Sequence, residues 1–475
     1  METERPNILL ITTDQQRFDT IHAHGNNHIY TPHLNWLADE GISFSRCYAT
    51  SPICMASRLS IMTGMHGHSL GMTGNDDRVF PMRGRPTLPG VLTASGYQTR
   101  AQGKMHFAPM RANYGFEHME LPSDFYRGIV NSPHVPKGHG VGENEIEPVI
   151  STVDEIHSAT YWTVKRSIDF LETRDETRPF FLWTSFAKPH PPFDPSPNYF
   201  ALYQNKNLPP PVSGEWSANP SEAPQGFYES TYMLNNGYRM SDGQKADVKR
   251  AYYACITQID YSLGLLFARM RETGLLENTW IIFTSDHGEM MGDHGIFAKS
   301  VFLEGSAHVP MIIRPPVKSW TADARRGSRC DSLVTLADIM PTVLNIAGAD
   351  KIETDGEDML GLCGSAAEDR IFHGNCSDMF FAAMKDGLKY MWARRGGGEL
   401  LFDIASDPQE RFDLSNTKPD LAIKMKKLLT EQVSRYDPKL ISGGELEPLP
   451  AIESPRDVAK WPGFHTSLYP CDVLH

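Results

Sequence analysis

Four short apolar runs mark the first two thirds of the chain, at residues 7–11, 179–183, 279–283 and 309–313. Each is too short for a buried helix, and none alternates with polar residues. They predict strands buried on both faces, as in a parallel sheet. Helical patterns lie between them. Thr31-Pro32, then Leu34, Leu37 and Gly41, supplies an N-cap, a proline at the first turn, an apolar face and a terminating glycine. Between residues 246 and 274, Tyr252, Ile256, Ile259, Leu263, Leu266 and Met270 recur at helical spacing. Strands alternating with helices predict an α/β fold, a mostly parallel sheet sandwiched by helices. Ligands in such sheets sit at the carboxyl ends of the strands.

Two stretches lack periodicity, residues 122–148 and the proline-dense 189–224. Both read as long surface loops able to shape a pocket. The pattern changes near residue 364. Residues 384–392 and 399–404 read as strands joined by the turn Gly396-Gly397-Gly398, and 419–436 as a helix. The expected organisation is a catalytic α/β domain over 1–364 and a smaller C-terminal α+β domain over 365–475.

Composition narrows the function. A chain of 475 residues with 40% hydrophobic and 22% charged residues is globular and can bury a large core. A net charge of −13 argues against nucleic-acid binding and requires a locally positive pocket for any anionic substrate. Seven widely spaced cysteines without a C-x-x-C pair fit neither a disulfide framework nor a zinc-thiolate site. No apolar stretch suits a membrane span, and the N-terminus runs into a strand without a signal-peptide pattern, so a cytoplasmic location is expected. His22, His24, His28 and His33 have no compact ligand spacing and read as surface residues.

Candidate chemistry sits where strands end. The first strand ends in Thr13-Asp14-Gln15-Gln16, and the strand at Ile281 in Ser285-Asp286-His287-Gly288-Glu289. Two such ends could hold one divalent cation. A helix opening at Cys54 and closing at Gly64 would point unpaired N–H groups at a bound anion.

Cys54-Met55-Ala56-Ser57-Arg58, followed by Thr63-Gly64, resembles the signature of the sulfatase family, within the alkaline-phosphatase-like superfamily. Gly103-Lys104-Met105-His106, Lys188-Pro189-His190, Asp286-His287-Gly288 through Lys299, and Asp338-Ile339-Met340-Pro341-Thr342 follow in the family's order. The resemblance implies oxidation of Cys54 to formylglycine by a dedicated maturase. The hydrated aldehyde, held by the metal, attacks sulfur, and its second hydroxyl allows the sulfated intermediate to collapse by elimination. It further implies Asp14, Gln15, Asp286, His287 and the matured Cys54 as metal ligands. Arg58 would hold the hydrated aldehyde, and Lys104 and Lys299 the sulfate oxygens. His190 would serve the leaving oxygen, and His106 would accept the proton of elimination. Asn75 is a further candidate for the pocket wall, and residues 461–465 for its rim. The substrate class is a small sulfated molecule, an aryl, choline or sugar sulfate. The implied ion is Ca2+, with Mn2+ or Mg2+ as alternatives, and homo-oligomerisation is left open.

Three features depart from the pattern. Ala56 stands where the motif usually has proline, which bears on the choice of maturase. Gln15 and His287 replace an aspartate and an asparagine, and an imidazole suits manganese better than calcium. The same Asp-Gln and Asp-His set resembles phosphonate monoester hydrolases of the superfamily, although Lys104 and His106 favour sulfate chemistry. The rival readings are a phosphonate or phosphate diester hydrolase, a silent binding homologue with unconverted Cys54, and a hydrolase using the Cys54 thiolate itself.

Overall fold

The computed structural model describes residues 5–76, 84–129, 144, 146–219, 223–227, 240–317, 326–363 and 370–451. Its main sheet has eight strands: β1 (Asn7–Asp14), β2 (Ile42–Tyr48), β3 (Gln98–Gly103), β4 (His118–Glu120), β5 (Phe180–Pro189), β6 (Thr279–Ser285), β7 (Met311–Arg314) and β8 (Ser328–Thr335). They lie in the order β4-β3-β5-β1-β6-β7-β2-β8. All pairings are parallel except those of β7, which runs antiparallel to β6 and β2. The run at residues 309–313 therefore yields a strand, but not the parallel one expected. Burial on both faces leaves the same apolar composition whichever way a four-residue strand points.

Alternate residues of the central strands feed two separate cores. Ile8, Leu10, Phe181, Trp183 and Ile282 pack with Met55, Leu59 and Met62 on one face. Leu9, Ile11, Leu182, Ile281 and Phe283 pack with Ile259, Leu263 and Leu266 of the helix Asp242–Glu272 on the other. That helix starts four residues before the predicted span, where Ser241 and Gln244 form a capping box. The helix α1 (Pro32–Glu40) ends at Gly41 as expected. Gly41 is extended (φ −126°) rather than left-handed, and a Cβ there would lie 2.7 Å from the Ile313 carbonyl oxygen, so close packing is its role. Part of the first expected loop is helical, from Pro122 to Ile129, and residues 130–143 and 145 lie outside the described set. Among its described residues the second stretch is irregular apart from the end of β5 at Pro189 and a short helix at Pro197–Ala201.

The smaller C-terminal sheet is antiparallel, in the order β12-β11-β10-β9, built from β9 (Phe372–Cys376), β10 (Phe380–Lys385), β11 (Leu388–Ala393) and β12 (Glu399–Asp403). The single strand expected over 384–392 is a hairpin instead. Asp386 (φ 53°) and Gly387 (φ 80°) form its turn, a conformation that asparagine, aspartate and glycine tolerate best. The helix Pro419–Tyr436 covers one face through Met425, Leu429 and Val433. The other face, with Phe380, Ala382 and Met384, packs on Phe302 and Leu303 of the larger sheet's loops. Lys389 bridges the two parts, pairing with Glu304 (2.6 Å) and Glu410 (2.7 Å). His66, His68 and His373 also meet at this junction, with ring centroids 4.6–5.5 Å apart. The proposed boundary at 364 falls in a segment outside the described residues, as does the tail at 461–465.

Candidate active site

Strand register assembles the site. β1 lies between β5 and β6, with Thr13 opposite Ser285. The next residues, Asp14 and Asp286, are thereby brought side by side where both strands end. On the other side Gly103 faces Ser185. A Cβ at Gly103 would lie 1.9 Å from the Ser185 carbonyl oxygen, and its φ is +96°. Only glycine permits that approach. It lets the Lys104 amide donate to Ser185 O at 2.9 Å and delivers the Lys104 ammonium to Asp14 Oδ2 at 2.6 Å.

Cys54 opens the helix α2 (Cys54–Thr63), every residue of which is buried. No side chain caps it from Ile53, but Asn75 Oδ1 accepts the Met55 N–H at 3.1 Å. Asn75 therefore sits at the helix N-terminus, beside Cys54. Gly64, left-handed at φ 66°, closes the helix with its N–H on Ser60 O.

Four donors converge. Asp14, Cys54, Asp286 and His287 are buried, and one ligand atom from each lies within 4.8 Å of all the others. Cys54 Sγ is 3.2 Å from His287 Nε2 and 3.9 Å from Asp14 Oδ1. The His287 Nδ1–H is placed to donate to Gly288 O at 2.9 Å, which leaves Nε2 facing the cluster. Arg58, with no exposed surface, donates through Nε to Asp286 Oδ2 at 2.9 Å and through Nη2 to Asp14 Oδ2 at 3.3 Å. Gln15 donates its backbone N–H to Asp286 Oδ1 at 3.0 Å.

The charges oppose one another closely. Burial raises the Asp14 carboxyl, but Lys104 foremost, with Arg58 and His287, outweighs it and holds it well below the usual range. Burial and Asp14 raise the Asp286 carboxyl, and His287 and Arg58 do not fully offset them. Burial and Asp14 also raise the Cys54 thiol, yet Lys299, Lys104 and His287 bring it well below its ordinary value. Burial lowers His287, but Asp286 and Cys54 carry it above the usual value. Two carboxylates, a thiol favouring its anion and an imidazole drawn toward protonation make a pocket that fits a divalent cation.

The other expected residues take distinct places. Lys299 Nζ donates to Gln15 Oε1 at 2.6 Å. His190 is buried, and its Nδ1 lies 2.8 Å from Pro191 O. Burial, Lys299 and Lys104 push it well below 6.5, so the ring is neutral in the free protein with Nε2 as an acceptor. His106 is half-buried and left-handed (φ 52°). Among the described residues it makes no hydrogen bond to the cluster, and its buried Nδ1 has no partner. Two participants were given no role by the motifs. Ser185 Oγ accepts from Arg58 Nη1 at 2.9 Å. Glu289, fully buried, accepts from the Gln15 side-chain amide.

A family profile described as Sulfatase matches residues 6–349. This chain belongs to the sulfatase family. The "Arylsulfatase" of Clostridium perfringens is 34% identical to this sulfatase over 446 residues, covering 87% of this chain and 91% of the relative. The "Choline-sulfatase" of Rhizobium meliloti is 28% identical over 447 residues, covering 87% of this chain and 83% of its own. Among solved structures, one in complex with its substrate D-glucosamine-2-N,6-O-disulfate matches with a TM-score of 0.72 at 22% identity, covering 92% of this chain and 99% of that one. The phosphonate monoester hydrolase of Agrobacterium radiobacter matches with a TM-score of 0.73 at 22% identity, covering 92% and 96%. These two likenesses show the fold, an alkaline-phosphatase-like sandwich with a small C-terminal antiparallel sheet. The family makes this chain a sulfuric ester hydrolase. No helix among the described residues is long and apolar enough to cross a membrane.

Proposed function

We propose that this sulfatase cleaves its ester with a formylglycine matured from Cys54, beside a divalent cation held by Asp14, Gln15, Asp286, His287 and the matured residue. The supporting observation is the convergence of four buried donors on the Cys54 side chain. Cys54 Sγ stands in for the attacking oxygen that maturation would install. A bound divalent cation supplies Lewis-acid chemistry and acidifies an oxygen nucleophile. Ca2+ is the proposed ion, and the His287 imidazole admits Mn2+ as the alternative.

The chain's own residues do the rest. Arg58 fixes the two carboxylates and offsets their charge. Lys104, at Asp14, and Lys299, at Gln15, take the sulfate oxygens as charge shifts onto them. Burial depresses His190 most, and a sulfate ester between the two lysines offsets the part that they add. His190 is the proposed partner of the leaving oxygen. His106 is the proposed proton acceptor when sulfate departs. Asn75, whose Oδ1 accepts the Met55 N–H at the start of α2, is the proposed residue of the pocket wall. Aryl, choline and sugar sulfates are the proposed substrates, in keeping with the names of the relatives.

Peptide mass spectrometry of protein made with and without a maturase tests the nucleophile. The converted fraction of Cys54 should scale with specific activity, and Cys54→Ala should lose at least about 10³-fold in kcat. Full activity in protein whose Cys54 is wholly unconverted would refute the reading. So would loss of activity on thiol alkylation alone.

A further inference from the structure

The carboxamide of Gln15 can be turned two ways, and only one presents oxygen to Lys299. Two fixed neighbours decide between them. Lys299 Nζ, which can only donate, meets Oε1 at 2.6 Å. The Glu289 carboxylate, which accepts when ionised, meets Nε2. Turning the amide over would set acceptor against acceptor and donor against donor.

Glu289 is itself rigidly mounted. It has no exposed surface, and its Oε1 accepts from Met291 N at 3.1 Å and Ala298 N at 2.6 Å. Those two amides mark the two ends of the segment 291–298, and the next residue is Lys299. Arg17 Nη1 holds the Glu289 carbonyl at 3.0 Å. One buried carboxylate thus orients the Gln15 oxygen and closes the loop that carries Lys299.

We infer that Glu289 is a positioning residue for the metal and sulfate sites: it turns the Gln15 oxygen inward, anchors Lys299, and supplies from one layer out the negative charge that glutamine lacks. This rests on the metal reading above. The substitution E289Q has a sharp consequence. The oxygen of the new amide would keep the two backbone N–H groups, so its NH2 would face residue 15. Gln15 would then turn its oxygen away from the site and its NH2 toward Lys299.

The test is titration calorimetry of the metal-stripped protein with Mn2+ and with Ca2+. E289Q should bind the preferred ion about 10- to 100-fold more weakly, the usual cost of losing a group that orients a metal ligand. The double variant Q15E/E289Q should recover wild-type affinity or exceed it, because a carboxylate at position 15 accepts from the new amide and keeps an oxygen for the site. A purely structural role predicts no such rescue. Equal affinity in E289Q and wild type would overturn the inference, as would a double variant no better than E289Q. Should E289Q fail to fold, Glu289→Asp keeps the charge and loses the reach. Unchanged affinity in folded Glu289→Asp would likewise overturn it. Wild-type protein that binds neither ion would overturn the metal reading itself, and this inference with it.

Discussion

Replacing Arg58 with methionine isolates the electrostatics of the site from its chemistry. The guanidinium has no exposed surface and reaches Asp286 at 2.9 Å and Asp14 at 3.3 Å. Methionine fills most of the volume and leaves the carboxylates to each other. Asp14 retains Lys104 at 2.6 Å, so the loss falls mainly on Asp286, whose carboxyl burial and Asp14 already push upward. Removing one partner of a buried ion pair costs about 3–5 kcal/mol. Protonation of Asp286 in the variant caps that loss toward the lower figure near neutral pH. A divalent cation should stabilise the variant more than the wild type, because the pocket has become more negative. Binding at a hundredfold excess over Kd is worth about 2.7 kcal/mol to a folded state. Urea unfolding followed by tryptophan fluorescence, with chelator and with saturating cation, measures both quantities. The expected result is a loss of about 3 kcal/mol in chelator that shrinks with cation. A loss under about 1 kcal/mol, or one that cation leaves unchanged, would refute the reasoning.

Two further perturbations follow from the geometry. Gly103→Ala should cost at least about 3 kcal/mol and displace Lys104, because its Cβ meets Ser185 O at 1.9 Å in a left-handed backbone; a variant with wild-type stability and kcat/KM would contradict this. Burial holds His66 at about 4 and His373 at about 3, against an ordinary 6.5. The unfolded chain therefore takes up protons first. The stability these rings contribute is present above pH 6.5 and lost as pH falls toward 3–4, about 2 kcal/mol per ring by pH 5. The slope of unfolding free energy between pH 7 and 5 should flatten in His373→Gln, and an unchanged slope would count against the buried cluster.

The fold class and the strand ends that meet at the candidate site were legible in the sequence. Asp14, Asp286 and Lys104 could be placed because strands β1, β6 and β3 end there, and a parallel sheet gathers its strand ends along one edge. The direction of β7 was hidden, since a strand buried on both faces is apolar either way. The hairpin at Asp386-Gly387 carried its turn signal inside a run apolar enough to read as one strand. Glu289 was unreadable for a different reason. A glutamate two residues after a histidine looks like any surface acid until the 291–298 segment folds over it. Gly103 was seen as part of a motif, but the close approach of Ser185 exists only once β3 and β5 pair.

The reaction class is tested most directly by kcat/KM for an aryl sulfate and for the matching aryl phosphonate monoester, on one preparation with Cys54 conversion quantified. Gln15 and His287 make the phosphonate the serious competitor. Lys104, Lys299 and His190 ranged around Cys54 predict a clear preference for the sulfate that rises with conversion. A strong preference for the phosphonate, or sulfate hydrolysis independent of conversion, would contradict the account.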